Sequence, residues 1–165
     1  FDLTIAIEVG LICACLLFMR RMAETTDVKV ISDEINPEEE TSDFQLSNLE
    51  HLTIPEGVEV YEINGPYFFG AGNKFEEIMG ALHRGRRPKV RIIRMRKVPF
   101  VDSTGIHNLT NLCLMSQGEG IQVVLSGVNP QVQAVLHKAG FDTMLGEDNI
   151  CSHINLALER ARQLI

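Results

Sequence analysis

The stretch Lys97–Leu109, KVPFVDSTGIHNL, decides how the fold is read. An apolar segment ends at Val101, and Asp102-Ser103-Thr104-Gly105 leads into apolar residues at helical spacing. A strand that passes through a short polar turn into a helix is the repeating unit of an α/β sheet. The turn has three chemical readings. As a nucleophile, Ser103 would need a G-x-S-x-G elbow, and Val101 stands where the first glycine belongs. His107 lies one turn further along the same helix, whereas a triad draws its base from elsewhere in the fold. No hydrolase constellation is assembled, and the chain is expected not to be an enzyme. As a cap, Asp102 or Ser103 accepts bonds from orphan backbone N–H groups. As a phosphate acceptor, Ser103 sits where those N–H groups and the helix dipole favour an anion. His107, Asn108 and Asn111 are the candidate interaction surface on the helix that follows.

Toward the C-terminus, the helix runs from Ser103 to about Gln117 and buries Ile106, Leu109, Leu112 and Cys113. Ile121–Ser126 reads as a strand. Asn129 then caps a third helix with Pro130 at its first position. Val132, Val135, Leu136 and Ala139 form its inner side, and Gly140 ends it. Phe141–Leu145 reads as a short strand or turn. A fourth helix is expected from near Asp148, burying Ile150, Ile154, Ala157, Leu158 and Ala161. Toward the N-terminus, Lys89–Met95 and Gly57–Ile63 read as strands. Tyr67-Phe68-Phe69 reads as a short strand between them. Residues 70–83 place Phe75, Ile78, Met79 and Leu82 on one helical face.

The charge is unevenly spread over the 165 residues. Residues 1–55 carry 11 acidic and 3 basic side chains, and residues 56–165 carry 11 and 12, so the net −7 belongs to the first third. That balance argues against nucleic-acid binding, which needs phosphate-neutralising charge. Four cysteines form no CxxC pair and have no histidine at ligand spacing, so neither a metal site nor a disulfide framework is expected. Gly70-Ala71-Gly72 has Phe75 where a dinucleotide turn needs its third glycine, so it reads as a tight turn and no cofactor is expected. The basic run Arg84–Lys97 holds eight Lys or Arg in 14 residues. It is either a solvated loop with strand ends, or a face toward anionic lipid through Arg84, Arg86, Arg87 and Lys89.

The chain opens at Phe1 and is expected to be a piece of a longer protein. Leu3–Met19 is apolar apart from Thr4, Glu8 and Gly10, and Arg20-Arg21 follow it. As a helix its 17 residues would span roughly 26 Å, close to a bilayer core. Residues 1–23 are therefore expected to be the end of a last transmembrane helix, with an amphipathic soluble helix as the alternative. Glu8 would then lie in or near the membrane. Residues 24–55, with DEINPEEETSD, read as an acidic flexible linker. Residues 56–165 form the folded domain.

VEVYEINGPYFFGAGNKFEEI, VPFVDSTGIHNL and GIQVVLSGVNPQVQAVLHKAGF together resemble a STAS domain, the module shared by sulfate-transporter tails and anti-sigma factor antagonists. With DLTIAIEVGLICACLLFMRRMAE before them, the chain resembles the C-terminal end of a bacterial SulP anion transporter. The resemblance implies an α/β STAS fold: a mixed four- to five-stranded sheet with about four helices, mainly on one side, after a partial transmembrane helix. It implies a regulatory, protein-interacting domain of a secondary-active transporter of sulfate or a related anion. Residues 24–165 would lie in the cytoplasm under a bacterial inner membrane. The alternative is an anti-sigma antagonist-like phosphoswitch, in which Asp102, Ser103, Thr104 and Gly105 match the family's turn and Ser103 is the acceptor. The implied partner is the membrane domain of the same transporter. A cytosolic protein or kinase, a second copy in a homodimer, and a nucleotide remain open, and nucleic acid is not expected.

Overall fold

Val90–Lys97, VRIIRMRK, forms the central strand, because both faces of its first six residues are covered. A strand buried on both sides needs apolar residues at consecutive positions, or polar ones with partners. The computed structural model describes residues 2–25, 27–31, 53–65 and 88–165. The strands are β1 (Asp27–Ile31), β2 (Val58–Asn64), β3 (Val90–Lys97), β4 (Gln122–Ser126) and β5 (Ile150–Cys151). They form a mixed sheet of five strands in the order β1-β2-β3-β4-β5, with β1 antiparallel to β2 and the remaining pairs parallel.

The helices are α1 (Leu3–Thr25), α2 (Ser103–Gly118), α3 (Pro130–Lys138), α4 (Phe141–Leu145) and α5 (Ile154–Leu164). On one face of the sheet, Tyr61, Ile93, Met95, Val123 and Leu125 pack against Leu109, Leu112, Leu136 and Phe141 from α2, α3 and α4. On the other face, Val60, Ile92 and Val124 meet Ile154, Ala157, Leu158 and Ala161 of α5. The alanines let α5 lie close to the sheet, and the β-branched residues fill the strand positions beneath it.

α1 stands apart from this core. Leu3–Arg21 has a mean hydropathy of 2.1 and buries none of its length against the rest of the chain. It is long and apolar enough to cross a membrane.

The structure departs from the sequence expectations at four places. The linker expected over 24–55 gives Asp27–Ile31 to the sheet: DVKVI alternates apolar and polar residues and pairs with β2, Val28 opposite Ile63 and Val30 opposite Tyr61. Phe141–Leu145 is a helical turn and not a strand, since Gly140 at φ +81° redirects the chain into it. The last helix begins at Ile154 and not near Asp148. A 3-10 turn (Glu147–Asn149) and β5 precede it, so Ile150 is a strand residue. Finally, Arg91 and Arg94 of the basic run are interior residues, 1% and 2% exposed. The strand expected at 67–69 and the helix expected at 70–83 lie outside the described residues.

Candidate functional site

The turn between β3 and α2 is held from three directions. Val98 and Val101 are buried, which anchors the loop to the core. The Val98 N–H donates to Met95 O at 2.9 Å, and Asn129 Nδ2 donates to Val98 O at 2.8 Å. Asn129 also caps α3 by accepting the Val132 N–H at 2.9 Å, so one side chain ties the two loops together. Asp102 is the N-cap of α2: its backbone is extended and its Oδ1 accepts the Gly105 N–H at 2.7 Å. Ser103 is therefore the first helical residue, exposed and not needed as the cap. Thr104 is half-buried and Gly105 buried.

His107 and Asn111 are brought together, with Asn111 Nδ2 3.1 Å from His107 Nε2. The imidazole is thus engaged one turn away from Ser103, and no base is assembled at the serine among the described residues. Asn108, on the same helix, is half-buried. Lys89 is exposed, and its Nζ donates to Ile165 O at 2.8 Å. Arg84, Arg86 and Arg87 lie outside the described residues.

Beneath α2 lies a polar cluster that sequence reading missed. Arg91 Nη1 donates to Ser116 Oγ at 2.6 Å, and Arg91 Nη2 lies 3.6 Å from Glu59 Oε2. Its guanidinium also lies 5.6 Å from the centre of the Tyr61 ring, and the Tyr61 hydroxyl donates to Glu59 at 2.9 Å. On the opposite face, Arg94 Nη1 lies 3.1 Å from Glu62 Oε1, and Lys97 Nζ lies 3.6 Å from Glu62 Oε2. The sequence signal was E-x-x-E in β2 and R-x-x-R in β3. Parallel register sets Glu59 beside Arg91 and Glu62 beside Arg94, and a three-residue step puts the two pairs on opposite faces. Burial pushes the Tyr61 phenol upward, with Glu59 adding to the shift. It pushes the Cys113 thiol up to about 12 against a lesser pull from Arg91, which disfavours its thiolate. Cys151 is raised by burial as well. No group of three or more metal-ligating side chains occurs among the described residues.

An exposed serine at a helix start on a five-stranded mixed sheet, behind a helix long and apolar enough to cross a membrane, defines a class: an α/β domain with a mixed sheet, preceded by a membrane-length helix. Residues 51–159 match the STAS domain family, and the chain belongs to that family. It is 29% identical over 153 residues to YvdB of Bacillus subtilis, a candidate sulfate transporter, covering 93% of this chain and 26% of that protein. The chain thus spans about a quarter of the length of that curated relative. A sulfate transporter family protein from Wolinella succinogenes shares 39% identity at a TM-score of 0.63, over 68% of this chain and 90% of that one. The murine anion transporter Slc26a9 in its inward-facing state matches at 0.65 and 18% identity, over 95% of this chain and 25% of that one. An anti-sigma factor antagonist from Mycobacterium paratuberculosis matches at 0.59 and 17% identity, over 83% and 94%. The last two likenesses show the fold alone. The transporter-family reading thus stands above the anti-sigma alternative, which has support only as a fold relative.

Proposed function

We propose that the chain is the last membrane helix and the cytoplasmic STAS domain of a SulP-type secondary-active anion transporter, acting as a non-enzymatic regulatory domain. The observation that carries this is the junction: a single residue, Thr26, separates the membrane-length helix α1 from the edge strand β1. A strand held by backbone pairing to β2 is a stiff attachment, so displacement of α1 pulls on the sheet instead of being absorbed in a linker. Arg20-Arg21 at the domain end of the apolar stretch favour the cytoplasmic side, in a bacterial inner membrane.

The test is made in the full-length transporter reconstituted in vesicles. A Gly-Gly-Ser insertion after Thr26 should lower anion uptake several-fold while circular dichroism and membrane insertion stay as in the wild type. Unchanged uptake would sink the coupling role.

One observation favours a second role for the same domain. Because Asp102 makes the cap, the Ser103 hydroxyl is spare, exposed and at the first position of a helix of 16 residues. Phosphate added there meets the positive end of the helix dipole and alters the surface shared with His107 without unwinding α2. A kinase would be the partner, and docking through His107, Asn108 and Asn111 the output.

A further inference from the structure

The register of the sheet fixes which of its edges meets the end of α1. β1 opens at Asp27, one residue after α1, and Asp27 pairs with Asn64 at the end of β2. Asn64 in turn pairs with Lys97 at the end of β3, and the Gly65 N–H donates to Lys97 O at 3.2 Å. Asp27, Asn64 and Lys97 thus form one row, and a strand spacing of about 4.8 Å sets Lys97 roughly 10 Å from Asp27. The turn from Lys97 to Ser103 therefore lies on the edge where the chain arrives from α1. α2 carries the chain back to the opposite edge, where the Gln122 N–H at the start of β4 donates to Lys89 O at 2.9 Å.

That edge starts close to the bilayer. Arg20-Arg21 end the apolar stretch of α1. From Met19 to Thr25 the helix rises roughly 9 Å, and a headgroup layer is about 5–7 Å deep on each side. The row at Asp27 therefore begins where the headgroups end, and the turn beside it presents apolar surface. Pro99 and Phe100 are exposed, Phe100 by 41%, although Phe100 also makes a contact within the chain. Val98 and Val101 are buried on either side of them, so the exposed pair sits on backbone anchored to the core. The charges nearby are engaged: Lys97 pairs with Glu62, and Asp102 caps α2. What the edge offers is an aromatic ring and a proline and not net charge, which suits an interfacial contact. A second point of contact also fixes the tilt that a single junction leaves open.

We propose that the turn from Lys97 to Ser103 is a lipid-contact surface: Pro99 and Phe100 rest in the headgroup layer of the bilayer that α1 crosses and hold this edge of the sheet toward the membrane. The contact rests on α1 spanning the membrane, the reading proposed above for the chain. It places Ser103, at the start of α2, on the membrane side of the domain. Met115, exposed and about 18 Å further along the same helix, lies toward the far side.

The chain has no tryptophan, so one introduced at a time reports its own surroundings. Phe100→Trp, Met115→Trp and, within α1, Phe18→Trp are each reconstituted as the full chain in phosphatidylcholine vesicles. A fraction of the headgroups carries a nitroxide quencher, and tryptophan fluorescence is read against unlabelled vesicles. Quenching of Phe18→Trp is expected, together with several-fold stronger quenching of Phe100→Trp than of Met115→Trp. If Phe18→Trp is quenched but Phe100→Trp is quenched no more than Met115→Trp, the lipid contact is overturned and the membrane helix stands. No quenching of Phe18→Trp overturns the membrane helix and the contact with it. Circular dichroism checks each variant, and Pro99→Trp reports from the same turn if Phe100→Trp does not fold.

Discussion

At the residue scale, Arg91 shows why a charged side chain belongs in the middle of this sheet. It is 1% exposed and serves Glu59, Ser116 and the Tyr61 ring at once. Ser116 passes the connection on by donating to Leu112 O at 2.8 Å, which fastens the cluster to α2. Removing one partner of a buried pair leaves the other stranded, a larger loss than removing both. Arg91→Met alone should therefore destabilise the domain by about 3 kcal/mol, somewhat below a fully buried pair because Glu59 keeps 27% exposure. The double variant Arg91→Met, Glu59→Leu should recover at least half of that loss. Urea unfolding of the four proteins of the cycle measures it, and additive losses would show that the pair is not coupled.

At the scale of the element, α2 separates two roles that the turn VDSTG superimposed. Capping belongs to Asp102, whose Oδ1 accepts the Gly105 N–H. Ser103 begins the helix and faces solvent. Asp102→Ala should thus cost about 1 kcal/mol of stability, and Ser103→Ala a few tenths at most. Equal losses from the two would mean that the serine is structural and would remove its claim as a modification site. Ser103→Asp should leave stability close to wild type, since an acidic group at a helix start is favoured, and its effect should fall on uptake and partner pull-down. β1 makes a related point. DVKVI was legible as an alternating strand only once its partner was known, because the surrounding acidic composition outweighed five residues of pattern.

On the scale of the whole molecule, the domain holds acids that burial keeps neutral. Cys113 has its thiol raised from 9.0 to about 12, and Tyr61 and Cys151 are raised in the same direction, each chiefly by burial. The unfolded chain releases these protons first. Their stabilising contribution is complete below the unfolded values and is lost as pH rises toward the folded ones. The domain should therefore lose stability from about pH 9 upward, by about 1.4 kcal/mol per pH unit through Cys113, with Tyr61 and Cys151 acting in the same direction. Cys113→Ala should flatten the slope between pH 9.0 and about 12, as read by chemical unfolding at a series of pH values. A slope the same in both proteins would show that Cys113 does not hold its proton through burial.

What could be read from the sequence and what could not divide by distance along the chain. A cap at Asp102 or Ser103, the Asn129-Pro130 helix start, the apolar length of α1 and the strands VEVYEI and VRIIRM were legible because capping, periodicity and hydropathy act among neighbouring residues, and the structure chose Asp102. The turn residues of the candidate site could be named for the same reason. The tertiary structure alone decided that E-x-x-E faces R-x-x-R, that Asp27–Ile31 joins the sheet one residue after a membrane-length helix, and that Asp27 and Lys97 share one edge of the sheet. Each of these depends on residues tens of positions apart being set side by side, and strand register is chosen by the packing of the whole sheet.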